Sequence, residues 1–207
     1  APGFSGLGVK MNQQVSTFRS RSNRGLSVDS SENYWSFRVS YNTMIPEELD
    51  AIESFLLGHN AKVNPFYITL PNYSRPKPES FAISLNGADL TVDSGVYAGD
   101  NTVLINTTNT KLVPGCFINL IDDADALHKS TYKVNRVETP SRYVGDEVPE
   151  GKLRLTLFPP VQRDFSGNVT ARFLNPKFRV KQTSDLEYDF DRNNVASFGF
   201  SCEEILP

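Results

Sequence analysis

The most regular stretch of the chain is Tyr34-Trp35-Ser36-Phe37-Arg38-Val39-Ser40-Tyr41, in which Trp35, Phe37, Val39 and Tyr41 alternate with polar residues. A period of two places the four on one face of a pleated strand, so the segment predicts a β-strand with one buried side. Trp35, the only tryptophan, is read as a core residue. The period then changes. Leu49, Ile52, Phe55 and Leu56 recur at helical spacing behind Pro46, with Glu47 and Glu48 in the first turn. Proline fits the first helical position, and acids suit the positive end of the helix dipole. The pattern predicts a helix from Pro46 to Leu57, stapled by Met44 and Leu49 and stopped by a left-handed Gly58.

Beyond the helix, Pro65 to Pro71 predicts a short strand bounded by prolines. Asn72 to Glu79 carries Pro76 and Pro78 and reads as a stiff linker, because proline donates no ladder hydrogen bond. From Ser80 to Arg172 short apolar runs predict strands at Phe81–Leu85, Thr102–Asn106, Cys116–Ile121, Thr131–Val137 and Lys152–Leu157, separated by turns such as Asn86-Gly87 and Pro114-Gly115. Such spacing fits a small barrel or sandwich. Near the end, Ala196, Phe198, Phe200 and Cys202 alternate on one face. The predicted organisation is a discontinuous domain of residues 1–79 and 173–207, interrupted by a β domain of residues 80–172.

Composition changes this picture in two ways. The 207 residues suffice for a core without metal or disulfide staples. The net charge of −3 excludes a generally basic nucleic-acid binder, but it averages over a polar distribution. The first 28 residues hold Lys10, Arg19, Arg21 and Arg24 and no acid, whereas from Asp185 onward six acids, including Asp189 and Asp191, face only Arg192. The segment from Ser16 to Arg24 reads as an arm or long loop. A basic start and an acidic finish suit head-to-tail packing of copies and equally suit pairing within one subunit. No apolar run approaches the ~20 residues of a membrane span, and Ala1-Pro2-Gly3-Phe4 resembles no secretory signal.

Catalytic parts are scarce: two histidines, two cysteines, and no P-loop, GxGxxG, GxSxG or HExxH. Cys116 and Cys202 read as buried free thiols, and His59 as a cation near a helix C-terminus. Asp122-Asp123-Ala124-Asp125, close to His128, is the best metal candidate, yet it lacks EF-hand spacing and reads as a solvated turn. No cofactor and no enzymatic activity are expected. A carbohydrate- or oligonucleotide-binding barrel is the alternative to a structural role, with Tyr132 and Tyr143 as its aromatic contacts and Tyr97 and Phe165 also available.

The order of elements carries a resemblance. A Trp-bearing strand (Trp35-Ser36-Phe37) leads to Ile45-Pro46-Glu47-Glu48-Leu49, then to Asn64-Pro65-Phe66-Tyr67-Ile68. A β insertion follows, with Val113-Pro114-Gly115-Cys116-Phe117-Ile118 and Leu155-Thr156-Leu157-Phe158-Pro159-Pro160, and the chain closes on Cys202-Glu203-Glu204. This resembles the distal tail (Dit) family of long-tailed phages (siphophages), in the form with an inserted OB-like domain. The resemblance implies a mainly β fold: a β-barrel or sandwich-like ring domain with one α-helix, plus a small OB-like β-barrel pointing outward. It further implies a structural protein of the virion tail tip, made in the host cytoplasm. Copies would form a homo-hexameric ring that joins the tail tube protein to hub, baseplate, fibre or collar proteins. DNA would meet the ring only while passing through its channel. No catalytic residues come with the resemblance. The interface candidates are Arg19, Arg21, Arg24, Asp189 and Asp191.

Overall fold

The computed structural model describes residues 4–13, 15–19, 25–29, 33–93, 95–125, 129–140, 148–190 and 196–205 of the chain. In order, the elements are β1 (Gly6–Asn12), β2 (Val15–Arg19), β3 (Gly25–Asp29), β4 (Tyr34–Met44), α1 (Pro46–Gly58), β5 (Phe66–Thr69), a 3-10 turn at Pro71–Tyr73, α2 (Glu79–Ser84), β6 (Leu90–Thr91) and β7 (Thr102–Asn106). There follow β8 (Phe117–Asp122), β9 (Lys129–Glu138), β10 (Lys152–Phe158), β11 (Val169–Arg172), β12 (Lys177–Gln182), β13 (Glu187–Phe190) and β14 (Ala196–Glu204). The protein is mainly β, and among the described residues it has two α-helices.

Two compact units divide the chain: Ala1–Phe66 with Arg179–Ile205, and Tyr67–Phe178. The first is a half-barrel sheet of order β1-β4-β14-β12-β5, with β13 also paired to β14. Its centre is the β4–β14 ladder, where Phe37 stands opposite Cys202 and Val39 opposite Phe200. The alternation read from sequence produces this core. Trp35, Phe37 and Val39 are buried along β4, and Ala196, Phe198, Phe200 and Cys202 along β14. Helix α1 starts at Pro46, and both staple residues, Met44 and Leu49, are buried. Its stop differs from expectation. Gly58 is the last helical residue, and the left-handed position is Asn60, at φ 50°. Asparagine tolerates that conformation better than most residues.

The second unit is a six-stranded sheet of order β6-β11-β8-β9-β10-β7, nearly closed into a barrel by the bridge between Val92 and Ile105. Strand β10 shows how its sequence builds the wall: Leu153, Leu155 and Leu157 are buried and alternate with Lys152, Arg154, Thr156 and Phe158. A single cluster, including Phe81, Ile105, Ile118, Leu120, Tyr132, Leu155 and Phe173, fills the interior. Two polar side chains fix the strand that leaves it. Asn119 and Thr131 both donate to the Lys177 carbonyl, at 3.0 and 2.9 Å, and the Lys177 N–H donates back to Asn119 Oδ1 at 2.7 Å.

Three expectations for this region are corrected. Phe81–Leu85 is not a strand: a second helix, α2, runs through Glu79–Ser84. Alternation would have buried Phe81, Ile83 and Leu85, but helical geometry buries Phe81, Ala82 and Leu85 and leaves Ile83 at 69% exposure. Among the described residues the fold therefore has two helices rather than one. The proline-rich stretch after Asn72 is not a bare linker, because it forms the 3-10 turn and leads into α2. The residues expected as an arm from Ser16 include strand β2, which pairs with β3 in a two-stranded ribbon.

Candidate functional site

The acidic loop after β8 is built around one buried carboxylate. Asp122 is 1% exposed. Its Oδ1 accepts from the N–H of Ala124 at 2.9 Å and of Gly167 at 3.0 Å. Its Oδ2 accepts from the Ser166 N–H at 2.8 Å and the Ser166 hydroxyl at 3.3 Å. Asp123 holds the next residue, accepting from Asn168 N–H at 2.7 Å and Nδ2 at 2.9 Å. Burial alone would raise the Asp122 carboxyl, but the donors of Ser166, Ala124 and Gly167 outweigh it and hold it below the usual carboxylate range. The loop thus ties the 122–125 turn to the 166–168 turn. Asp122 stabilises it by filling its acceptor sites with backbone donors, which differs from the solvated turn expected. Among the described residues no group of three or more His, Cys, Asp or Glu is arranged to hold a metal ion. His128 lies outside the described residues.

The outward face of the half-barrel sheet is lined with small side chains. Across β1, β4 and β14, Gly6 aligns with Ser40 and Gly199, Gly8 with Arg38 and Ser201, and Lys10 with Ser36 and Glu203. A polar hollow of about 430 Å³ opens here beside Arg38, Ser40, Tyr41, Asp185 and Ser197. The Tyr41 ring stacks on Phe198 at 5.8 Å, and burial raises its phenol.

Helix α1 presents a different surface. Only Leu49 and Leu56 are buried. Phe55 is 52% exposed, with His59 stacked on its ring at 5.8 Å and Phe66 edge-on at 5.8 Å. His59 caps the helix end, and its Nε2 lies 3.1 Å from the Pro65 carbonyl oxygen. Ile45, Leu57 and Val63 are also exposed. Glu47, Glu48 and Asp50 are exposed, and α1 contains no lysine or arginine.

The residues singled out from sequence are distributed as follows. Arg19 ends β2 opposite Gly25, and Asp189 stands in β13 opposite Ser197. Arg21, Arg24, Asp191 and Tyr143 lie outside the described residues. The two candidates among the described residues, Arg19 and Asp189, stand in different sheets. Part of the acidic end is engaged locally: Asp185 pairs with Lys62, which lowers its carboxyl pKa, and Glu204 Oε2 accepts from the Trp35 N–H at 3.3 Å. Tyr132 is a correction. It is 1% exposed and belongs to the barrel core, so it offers no ligand surface. Period two along β9 turns its ring inward together with Val134. Phe165 is buried as well, and Tyr97 is 60% exposed.

Both cysteines are buried and free. Burial pushes each thiol up to about 12, which leaves neither as a ready nucleophile at neutral pH. The α1 surface and the Asp122 clamp are the features that sequence reasoning missed. Exposure at Phe55 conflicts with its place in the apolar stripe. The clamp's partners are distant in sequence and have no short-range signature. No protein-family model matches the chain, and no curated protein matches it in sequence.

Proposed function

We propose that the chain is a structural virion protein of a phage tail tip. Its copies form a ring, hexameric by the resemblance, which joins the tail tube to hub, baseplate or fibre components and lines the DNA channel. The observation that carries this reading is the β2–β3 ribbon. Among the described residues its two five-residue strands pair only with each other. A two-stranded ribbon is marginal in water by itself, so this one calls for a covering surface. The ribbon belongs to the basic start of a chain whose end is acidic. One subunit thereby carries both halves of a head-to-tail contact, the kind that closes into rings. The barrel of the second unit supports an inserted small β domain. Its six strands are one more than the five of an OB-fold, so the OB-like assignment rests on the resemblance. The alternative, a glycan- or oligonucleotide-binding module, loses Tyr132 as a contact because that ring is in the core.

The test is labelling in place. An affinity tag or antibody on this chain, viewed in negatively stained tails, is expected at a central ring at the distal tip. Label along the tube, on lateral fibres only, or absent from purified virions would overturn the reading. Light scattering on the protein mixed with tail-tube subunits gives a second measure, and a ring-sized mass is expected.

A further inference from the structure

We propose that the outer side of α1, built on Glu47, Glu48, Ala51 and Phe55, is the docking surface for the β2–β3 ribbon of a second copy of this chain. The inference rests on the ring reading above and names where one copy meets the next.

The helix is under-covered by its own unit. With 3.6 residues per turn, Glu48, Ala51 and Phe55 succeed one another along one side of α1, and Glu47 lies beside them. Leu49 and Leu56 face the sheet side and are buried. Phe55 keeps 52% of its surface exposed although His59 and Phe66 already hold its ring. A ring fixed from below and open above is a preorganised apolar anchor, the kind of contact that dominates interface energetics because little entropy is lost on docking. Ile45 at 50%, Leu57 at 60% and Val63 at 67% exposure extend the apolar area around the helix ends. Glu47, Glu48 and Asp50 make no ion pair among the described residues.

The ribbon fits this surface in three respects. Among the described residues it lacks a partner strand beyond its own pair, and β2 and β3 pack chiefly on each other. Phe18 stands opposite Leu26 and Ser16 opposite Val28, so by period two the sequence places Phe18, Leu26 and Val28 on one face of the ribbon to set against Phe55. Its charge is opposite: residues 15–29 hold Arg19, Arg21 and Arg24 against the single acid Asp29, whereas the helix offers Glu47, Glu48 and Asp50 and no base. Complementary charge steers and registers such contacts, and an arginine beside an exposed phenylalanine gains further attraction from the ring face. Because ribbon and helix are different patches, the contact is heterologous and propagates from copy to copy until it closes.

Sedimentation velocity and light scattering on the full chain, across protein concentration and at low and moderate salt, test this. The variants are Glu47→Lys with Glu48→Lys, Phe55→Ala, Arg19→Glu with Arg21→Glu and Arg24→Glu, the two charge sets combined, and Asp189→Lys with Asp191→Lys. Self-association of the unmodified chain is expected to weaken with salt. Either charge reversal alone, or Phe55→Ala, is expected to weaken it at least tenfold, and the combined reversal to restore most of it. Circular dichroism checks that each variant folds. If Glu47→Lys with Glu48→Lys does not fold, Glu47→Gln with Glu48→Gln takes its place and is expected to weaken association in the same direction. Association that resists every α1 change but is lost with Asp189→Lys and Asp191→Lys would overturn this inference and leave the ring reading standing, with β13 as the receiving edge. A chain that stays monomeric at all concentrations and beside tail-tube subunits would overturn both.

Discussion

Replacing Asp122 by asparagine is the sharpest test of how the barrel is held. The substitution keeps the shape but converts one carboxylate oxygen to an NH2 group. Each oxygen accepts two hydrogen bonds: Oδ1 from the Ala124 and Gly167 N–H groups, Oδ2 from the Ser166 N–H and hydroxyl. Turned towards Ala124 and Gly167, its NH2 loses both bonds; turned towards Ser166, it loses the bond from the Ser166 N–H while the hydroxyl can rotate to accept, so in either case a backbone donor is left facing a donor. The remaining pair loses its charge assistance. Hydrogen bonds to charged groups contribute roughly 1.5–3 kcal/mol each, so the loss is about 4 kcal/mol. That is a large share of the ~5–15 kcal/mol that stabilises a typical domain. The variant should show a fall of this size in urea unfolding followed by tyrosine fluorescence and far-ultraviolet circular dichroism. Trp35 lies in the other unit, so its fluorescence supplies a separate transition for comparison. Amide hydrogen exchange at Ala124, Ser166 and Gly167 should quicken at the same time. A loss under about 0.5 kcal/mol, the range of ordinary surface changes, with these amides still protected, would refute the argument that Asp122 organises the two turns. The lowered pKa adds a sign check. A carboxyl depressed in the folded state contributes fully above its unfolded value near 3.8 and loses that contribution as pH falls through the folded value. The difference between the native chain and Asp122→Asn should therefore shrink in acid and hold steady through neutrality.

Two glycines should respond in opposite directions. An added Cβ at Gly167 would fall on the Asp123 carboxylate and 2.6 Å from Asp122 Oδ1, so Gly167→Ala is expected to destabilise the barrel by ~2 kcal/mol, whereas Gly58, with open space around it and a helical position, should give ~0.5–1 kcal/mol of stabilisation as alanine; thermal melts decide both. Each buried thiol holds its proton to about 12 in the folded chain against an ordinary thiol value of 9.0, so stability should be unaffected below pH 9 and fall above it by about 1.4 kcal/mol per pH unit per thiol. Urea titrations between pH 8 and 10 should show that slope, and it should flatten in Cys116→Ala for the barrel and in Cys202→Ala for the half-barrel. Tyr132→Ala should cost ~3–5 kcal/mol through the cavity it leaves, which a denaturation midpoint will register whether or not any ligand is present.

The elements legible in sequence were those whose period repeated long enough to be unambiguous. Strands β4 and β14 each show four alternating apolar positions, and α1 combined a stripe with Pro46 and two acids in its first turn. The misread elements were short. At Phe81–Leu85, one turn of helix and a five-residue strand both bury Phe81 and Leu85, and only the burial of Ala82 and the exposure of Ile83 separate them. Strand β6 has two residues, too few for any period. Tyr132 was misassigned because an aromatic in a barrel wall has two faces to choose from, and its register, set by Thr131 opposite Asn119 and Tyr132 opposite Ile118, is a property of the sheet. The Asp122 clamp joins β8 to a turn at residues 166–168 (a contact across the barrel strands), so nothing local could announce it. Charge polarity was visible at once, but where it acts was not, because Lys62 and the Trp35 backbone already engage Asp185 and Glu204.

The pairing of Phe37 with Cys202 has a consequence for the time course of folding. The half-barrel is assembled from the two ends of the chain, while the barrel is made from one uninterrupted segment, Tyr67–Phe178. During synthesis the barrel can form as soon as it is complete, but β4 must wait for β14, which is made after the whole barrel segment. With the middle unfolded, closing that ladder means closing a loop of about 150 residues, from the end of β4 at Met44 to the start of β14 at Ala196, and each doubling of loop length adds ~0.6 kcal/mol of entropic cost. A folded barrel removes most of that cost, because its two ends leave through β5 and β12, which are neighbours in the sheet. The inserted unit therefore acts as an internal folding template: it shortens the effective chain before the slow, long-range β4–β14 pairing begins. Until that pairing is made, the partner-seeking edge of β4 remains exposed, so nascent chains are most vulnerable to mispairing with one another in the interval between barrel closure and arrival of β14.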